Sequence, residues 1–183
     1  MRHLLSSVLL ALAVLGLAQH QTRVKPGTVY HLNGITVVSP NQTGWELLQS
    51  TETELALQKK LDDAITNAGV KIFKTQVFDN DQDLLKGLEA LKQEELNKLK
   101  RDSVHFNYIN FKGSPCVQYD ALYTGDTAVP QFEHFNFKGY LCRYQDRKDM
   151  AVQAEFSNHS NRRGLSESAL SLADEFFEKF ALR

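Results

Sequence analysis

The chain is poor in the residues that mark disordered or fibrous proteins, with four prolines and ten glycines among 183 residues. It also lacks an excess of charge of either sign, because the formal net charge is -1. This balance gives no electrostatic footprint for nucleic acid or an anionic membrane. Hydrophobic residues at 42% and charged residues at 23% are ordinary for a globular chain, and the length suffices for one domain with a core.

Motifs that mark common enzyme classes are absent from the sequence. There is no Gly-x-Ser-x-Gly elbow, phosphate-cradling glycine loop or dinucleotide fingerprint. Neither His-x-x-x-His nor Cys-x-x-Cys occurs, so the sequence predicts no metal site and no cofactor. An exported hydrolase whose site is assembled from distant residues is the alternative to a non-enzymatic protein.

The N-terminus carries the pattern of a cleavable export signal. Arg2 and His3 precede an apolar run from Leu4 to Leu15, and Gly16-Leu17-Ala18 offers the small residues that a signal peptidase reads. The run is shorter than the roughly 20 residues that span a bilayer, although an uncleaved anchor is the alternative. We predict a signal peptide over residues 1–18, a flexible leader over 19–27 and one domain over 28–183, secreted or periplasmic and without a membrane segment.

Export changes the interpretation of the two cysteines, Cys116 and Cys142. Thiols outside the cytoplasm tend to oxidise in pairs, which predicts a disulfide between them. Each cysteine follows a Lys-Gly pair at the same offset, which hints that their strands are placed alike in one sheet. Two buried free thiols are the alternative.

Hydrophobic periodicity predicts an α+β domain, an antiparallel sheet packed with a mid-chain helix and a C-terminal amphipathic helix. Asn33-Gly34 predicts a hairpin, whereas Asn67-Ala68-Gly69 reads as a break before a strand. Ser166 is expected to cap the terminal helix, whose apolar stripe should face the sheet. The predicted strands are 28–32, 35–38, 44–48, 54–58, 70–78, 104–111, 116–123, 132–142 and 150–157, and the predicted helices are 81–100 and 166–180.

Gly44-Trp45 after the opening hairpin, together with an aromatic terminal helix after a meander of strands, resembles the sandwich of the PsbP and Mog1-like families. The resemblance lies in the order of elements over most of the mature chain and includes no specific motif. It implies an exported protein, because these families include lumenal and bacterial surface proteins, whose roles are largely accessory or unknown. No functional residue is carried over from it.

Two similar phrases, His105-Phe106-Asn107-Tyr108 and His134-Phe135-Asn136-Phe137, supply the candidate ligand-binding residues His105, His134, Phe135 and Phe137. The two imidazoles could approach each other if their strands were neighbours. A zinc site would need further ligands, so two strand-end histidines are the better interpretation. Aromatic rings are dense in this half of the chain and form either core or an exposed face or cleft.

These patterns favour an exported, non-enzymatic accessory or binding protein. Its expected partner is an unknown protein or an apolar ligand, recognised through a sheet face or an aromatic cleft. Asn41 and Asn158 each begin a glycosylation acceptor pattern, which matters only in a eukaryotic host.

Overall fold

A computed structural model describes residues 22–97, 101–125, 131–144 and 147–182, without the side chain of Arg101. The predicted signal peptide, the first residues of the predicted leader and the predicted last turn of the mid-chain helix lie outside the described residues. In chain order the elements are β1 (Thr22–Arg23), β2 (Val29–Leu32), β3 (Ile35–Val38), β4 (Trp45–Ser50), β5 (Glu54–Lys60), β6 (Ala64–Lys74), α1 (Asp81–Leu96), β7 (Arg101–Phe111), β8 (Ser114–Thr124), β9 (His134–Arg143), β10 (Met150–Ser160), α2 (Glu167–Lys179) and β11 (Phe180–Ala181).

Within the described residues, the strands form an eight-stranded antiparallel sheet in the order β1-β4-β5-β6-β10-β9-β8-β7, and a smaller sheet in the order β11-β3-β2. The predicted α+β class is confirmed. The predicted first hairpin is also present as β2 and β3, because Asn33 (φ 37°) and Gly34 (φ 92°) adopt the positive φ angles that a tight two-residue turn requires.

β6 differs from its prediction. It runs without a break through Asn67-Ala68-Gly69, begins at Ala64 and ends at Lys74 rather than at Phe78. The predicted break was wrong because β6 lies between β5 and β10 and pairs with both over this stretch. Two ladders of hydrogen bonds outweigh the weak strand preference of asparagine and glycine.

The two faces of the large sheet are covered by different elements. On the α1 side, α1 packs over β7, β8 and β9, with Leu84, Leu88 and Leu96 in the core. On the α2 side, α2 packs over β6 and β10, and the small sheet lies beside it. Side chains alternate along each strand between these two cores.

The terminal helix packs as predicted. Ser166 caps it, since the Ser166 hydroxyl accepts a hydrogen bond from the Ala169 N–H at 3.2 Å. Its predicted apolar stripe is buried against the sheet, at Ala173, Phe176, Phe177 and Phe180. No helix in the described part of the chain is both long and apolar enough to cross a membrane.

Candidate functional site

Cys116 and Cys142 form the disulfide that the sequence predicts. They lie directly opposite each other on β8 and β9, and both are buried in the core on the α2 side. The bond ties together two central strands of the half-sheet that α1 covers from the other side. Export and the disulfide are therefore compatible, and the strands of the two cysteines are neighbours.

The four predicted ligand-binding residues are not brought together. His105 lies opposite Asp120 of β8, whereas His134 lies opposite Thr124, four residues further along the same strand. The condition for an approach of the two imidazoles is not met, because β8 separates β7 from β9. Within the described ranges, no group of three or more His, Cys, Asp or Glu side chains is placed to hold a metal ion.

Phe135 and Phe137 lie on the α1 side, away from both of these histidines. Each is 5% exposed, and their ring centroids are 3.9 Å apart. Tyr123 packs edge-on against Phe137, and His159 of β10 stacks on Phe135 at 3.8 Å. These rings are part of the α1-side core, so ligand binding by them stays a prediction.

A buried polar network under α1 was missed from the sequence. Lys92 of α1 is 0% exposed, and its Nζ lies 2.7 Å from Oε2 of Glu155 on β10. The same oxygen accepts hydrogen bonds from the Tyr119 hydroxyl at 2.6 Å and from Gln153 Nε2 at 2.9 Å. Burial raises the pKa of Tyr119 well above its usual value, reinforced by the charge of Glu155, so the phenol stays a donor.

Gly139 makes this network possible. It lies between Tyr119 and Glu155 in a cross-strand row, so the phenol must pass over β9 to reach the carboxylate. A Cβ at this position would lie 2.4 Å from the Tyr119 hydroxyl oxygen and 2.6 Å from the Ala154 carbonyl oxygen. The network is thus enclosed between helix and sheet, and we interpret it as the attachment of α1 rather than as a reaction site.

The α2 side offers a different surface, where α2 stops short of the last two strands. The helix reaches β9 through the edge-on contact of Phe177 with Tyr140 and through the Asp174–Lys138 ion pair at 3.4 Å. Beyond it, the same side of β7, and of β8 from Gln118 onward, carries side chains that are exposed or half-buried. We define the open face as Lys138 of β9 and these residues: His105, Asn107, Gln118, Asp120 and Leu122.

Basic and acidic side chains alternate across the open face. His105, Asp120 and Lys138 occupy directly opposed positions on three adjacent strands, and Lys138 continues the row to Asp174 of α2. Partial burial raises the pKa of Asp120, against the lowering influence of Lys138 and His105. The row therefore presents donors and acceptors in alternation on a half-desolvated surface.

The open face ends in a buried pair of amides. Asn136 lies opposite Leu122 on one side and Asn158 on the other. Within the residues that the structure describes, Asn136 Nδ2 and Asn158 Oδ1 have no hydrogen-bond partner. Since Asn158 is 2% exposed in a central strand, its acceptor pattern is inaccessible in the folded protein, whereas Asn41 is exposed.

In the described residues, the antiparallel sheet with a helix packed on each side has the Mog1/PsbP-like fold of the following solved structures. Among solved structures that share it is LpqN of Mycobacterium tuberculosis, with a TM-score of 0.51 and 14% sequence identity, covering 88% of this chain and 91% of LpqN. Another is a point mutant of Mog1, with a TM-score of 0.50 and 14% identity, covering 90% of this chain and 96% of Mog1. No protein-family model and no curated protein matches the sequence. The similarity is one of fold.

Proposed function

We propose that this chain is an exported, non-enzymatic accessory protein that binds another protein through the open face. The observation that carries the proposal is the row His105–Asp120–Lys138, which lies across three strands with no described element packed over its outer part. A partly buried carboxylate between two basic groups can form polar contacts with a partner of complementary charge and fix its orientation.

A protein partner suits this face better than an apolar ligand. Small-molecule sites are concave and mostly apolar, whereas protein interfaces mix apolar and polar area. The open face has one aliphatic side chain, Leu122, among polar and charged ones. The rings that would line an apolar cleft, Phe135 and Phe137, are buried on the opposite side of the sheet.

Two further observations support export. The Arg2–Ala18 segment has the pattern of a cleaved signal, and Cys116–Cys142 forms a disulfide that an oxidising compartment would maintain. The fold is shared with LpqN, which is involved in cell envelope biogenesis. An envelope or extracellular location follows as part of the proposal.

Site-specific photo-crosslinking in cells that produce the full chain tests this function. A photoreactive amino acid at Leu122 should give a discrete adduct with another protein, because this side chain lies within the open face. The same probe at Glu52, which is exposed in the β4–β5 turn, is the matched control and should give none. The mature N-terminus of the recovered protein, read by mass spectrometry, tests cleavage after Ala18.

Two results would contradict the proposal. The first is the absence of any adduct from Leu122 while the variant retains its disulfide and a wild-type melting curve. The second is the same adduct from both positions, which would mean that the contact is not made by the open face.

A further inference from the structure

β7 is the last strand of the large sheet, and its outer edge is unusually long and unprotected. It has eleven residues, and among the described residues only β8 pairs with it. Natural edge strands are usually blunted by lysine, proline, bulges or short length. β7 contains neither lysine nor proline, and its bulge lies at one end, between Arg101 and Ser103. The stretch from Val104 to Phe111 therefore offers an uninterrupted edge.

The β7–β8 turn determines which backbone groups point outward. Lys112 and Gly113 form a two-residue turn with φ of 51° and 85°, so Phe111 and Ser114 close it as a hydrogen-bonded pair. Hydrogen-bonded and non-hydrogen-bonded pairs alternate along an antiparallel ladder. His105, Asn107 and Ile109 therefore bond to β8, whereas the free N–H and C=O groups belong to Val104, Phe106, Tyr108 and Asn110.

We propose that β7 pairs in antiparallel fashion with β7 of a second copy of this chain, about a two-fold axis at Phe106. Phe106 is the midpoint of Arg101–Phe111, so this register pairs the full length of both strands. Its outward N–H and C=O can exchange two hydrogen bonds with Phe106 of the second copy. Val104 and Tyr108 of the second copy are likewise opposed through outward groups.

The side chains of β7 are self-complementary in this register. On the α1 side, Phe106 meets Phe106 and Val104 meets Tyr108, and aromatic and β-branched pairs of this kind stabilise antiparallel strands. On the α2 side, His105 meets Asn107. Like charges do not oppose each other, because Arg101 falls opposite Phe111 and Asp102 opposite Asn110. Moving the axis to His105 would place that residue against itself.

The pairing would join two open faces into one surface. His105 of one copy would lie beside Asn107 of the other, so the polar row would continue across the two-fold axis through Asn107 and Gln118 of the second copy. The proposed contact is made by one strand of each copy, whereas stable interfaces usually bury roughly 1,200–2,000 Å² over 20–30 residues a side. We therefore expect a concentration-dependent equilibrium between one and two copies rather than an obligate dimer.

Sedimentation equilibrium of the purified protein tests the pairing and its register. The average mass of the wild type should rise with concentration toward twice that of a single chain. H105K/N107K opposes like charges twice in the pair, whereas H105K/N107E opposes unlike charges at the same exposed positions. The dissociation constants of the two variants should differ by about tenfold or more, with the first weaker than the second.

A wild type that stays a single chain at all concentrations would overturn the proposal. So would a shift of the same size and direction in both variants, while circular dichroism shows both to be folded. The proposed partner binding is read separately, because a crosslink from Leu122 to another protein has a different mass from a self-adduct. A single-chain protein that still gives the heterologous adduct would refute the pairing alone.

Discussion

Glu155 and His159 lie on the same side of the same strand, and the structure accommodates their burial in opposite ways. Glu155 receives an ion pair and two hydrogen bonds, which compensate its charge at the centre of the α1-side core. His159 is 4% exposed and stacks on Phe135, and its Nδ1 has no partner among the described residues. Burial lowers the pKa of His159 to about 4, so the ring is held neutral.

His159 should make the protein less stable in acid. The unfolded imidazole, with a pKa near 6.5, takes up a proton that the folded ring refuses until about pH 4. Stability from this residue is complete above pH 6.5 and decreases as the pH falls, by up to about 3 kcal/mol near pH 4. His159→Phe keeps an aromatic ring on Phe135 but cannot take up a proton. The unfolding free energy of this variant should therefore decrease less than that of the wild type as the pH falls.

Urea unfolding of both proteins at several pH values between 4 and 7 measures this difference. Glu95 and Asp120 act with the opposite sign, because burial raises the pKa of each, but they are common to both proteins. Parallel curves for the wild type and His159→Phe would refute the assignment.

At the scale of elements, α1 is attached by a charge as well as by its leucines. The spacing of Leu84, Leu88 and Leu91 predicts a core-facing stripe opposite a solvated charged face. In the structure, however, Lys92 is fully buried and Leu91 is 37% exposed. The helix is therefore rotated about its axis from the orientation that the leucines predict, so that Lys92 rather than Leu91 faces the core. Lys92 lies one turn after Leu88 and meets Glu155, which is 63 residues further along the chain.

Lys92→Met should destabilise the protein by about 3–5 kcal/mol, because it leaves the Glu155 carboxylate buried without its cation. Lys92→Met combined with Glu155→Gln should lose less than the sum of the two single variants, because the buried Glu155 charge is removed together with its cation. Glu95, whose Oε2 lies 3.3 Å from Lys92 Nζ, loses that cation both in Lys92→Met and in the double variant, so its loss cancels in the comparison. Urea unfolding at pH 7 measures all of these free energies. Lys86→Met, at an exposed position of the same helix, is the control and should change stability by less than about 0.5 kcal/mol. Additive single variants would show that the pair is not coupled.

Local signals in the sequence predicted local structure well. Asn33-Gly34 predicted the first hairpin, and Ser166 predicted the start of α2, because turns and caps depend on neighbouring residues. The break predicted before Val70 failed because β6 is held by strands distant in the sequence. A binding face on the sheet was predicted, with His105 as a candidate residue, but Asp120 and Lys138 were not, since they become neighbours only through the strand order.

For the whole molecule, β8 and β9 connect the two cores. On the α1 side they carry Tyr119 and Phe137, and on the α2 side they carry the Cys116–Cys142 disulfide. The next residues along the same side, Gln118 and Tyr140, lie opposite each other at the edge of the open face. The disulfide therefore holds in register the strands on which the proposed binding row lies.

Loss of this disulfide should destabilise the whole protein. A bond that closes a separation of 26 residues contributes about 3 kcal/mol by restricting the unfolded chain. Cys116→Ala combined with Cys142→Ala should lose roughly that amount in urea unfolding, and alanine avoids burying the hydroxyl that serine would introduce. The double variant should be insensitive to reductant, whereas the wild type should lose stability on reduction.

Protein recovered from the envelope or medium, denatured without reductant, should titrate with no free thiol. Two free thiols per chain would refute both the bond and the inference that the protein works in an oxidising compartment.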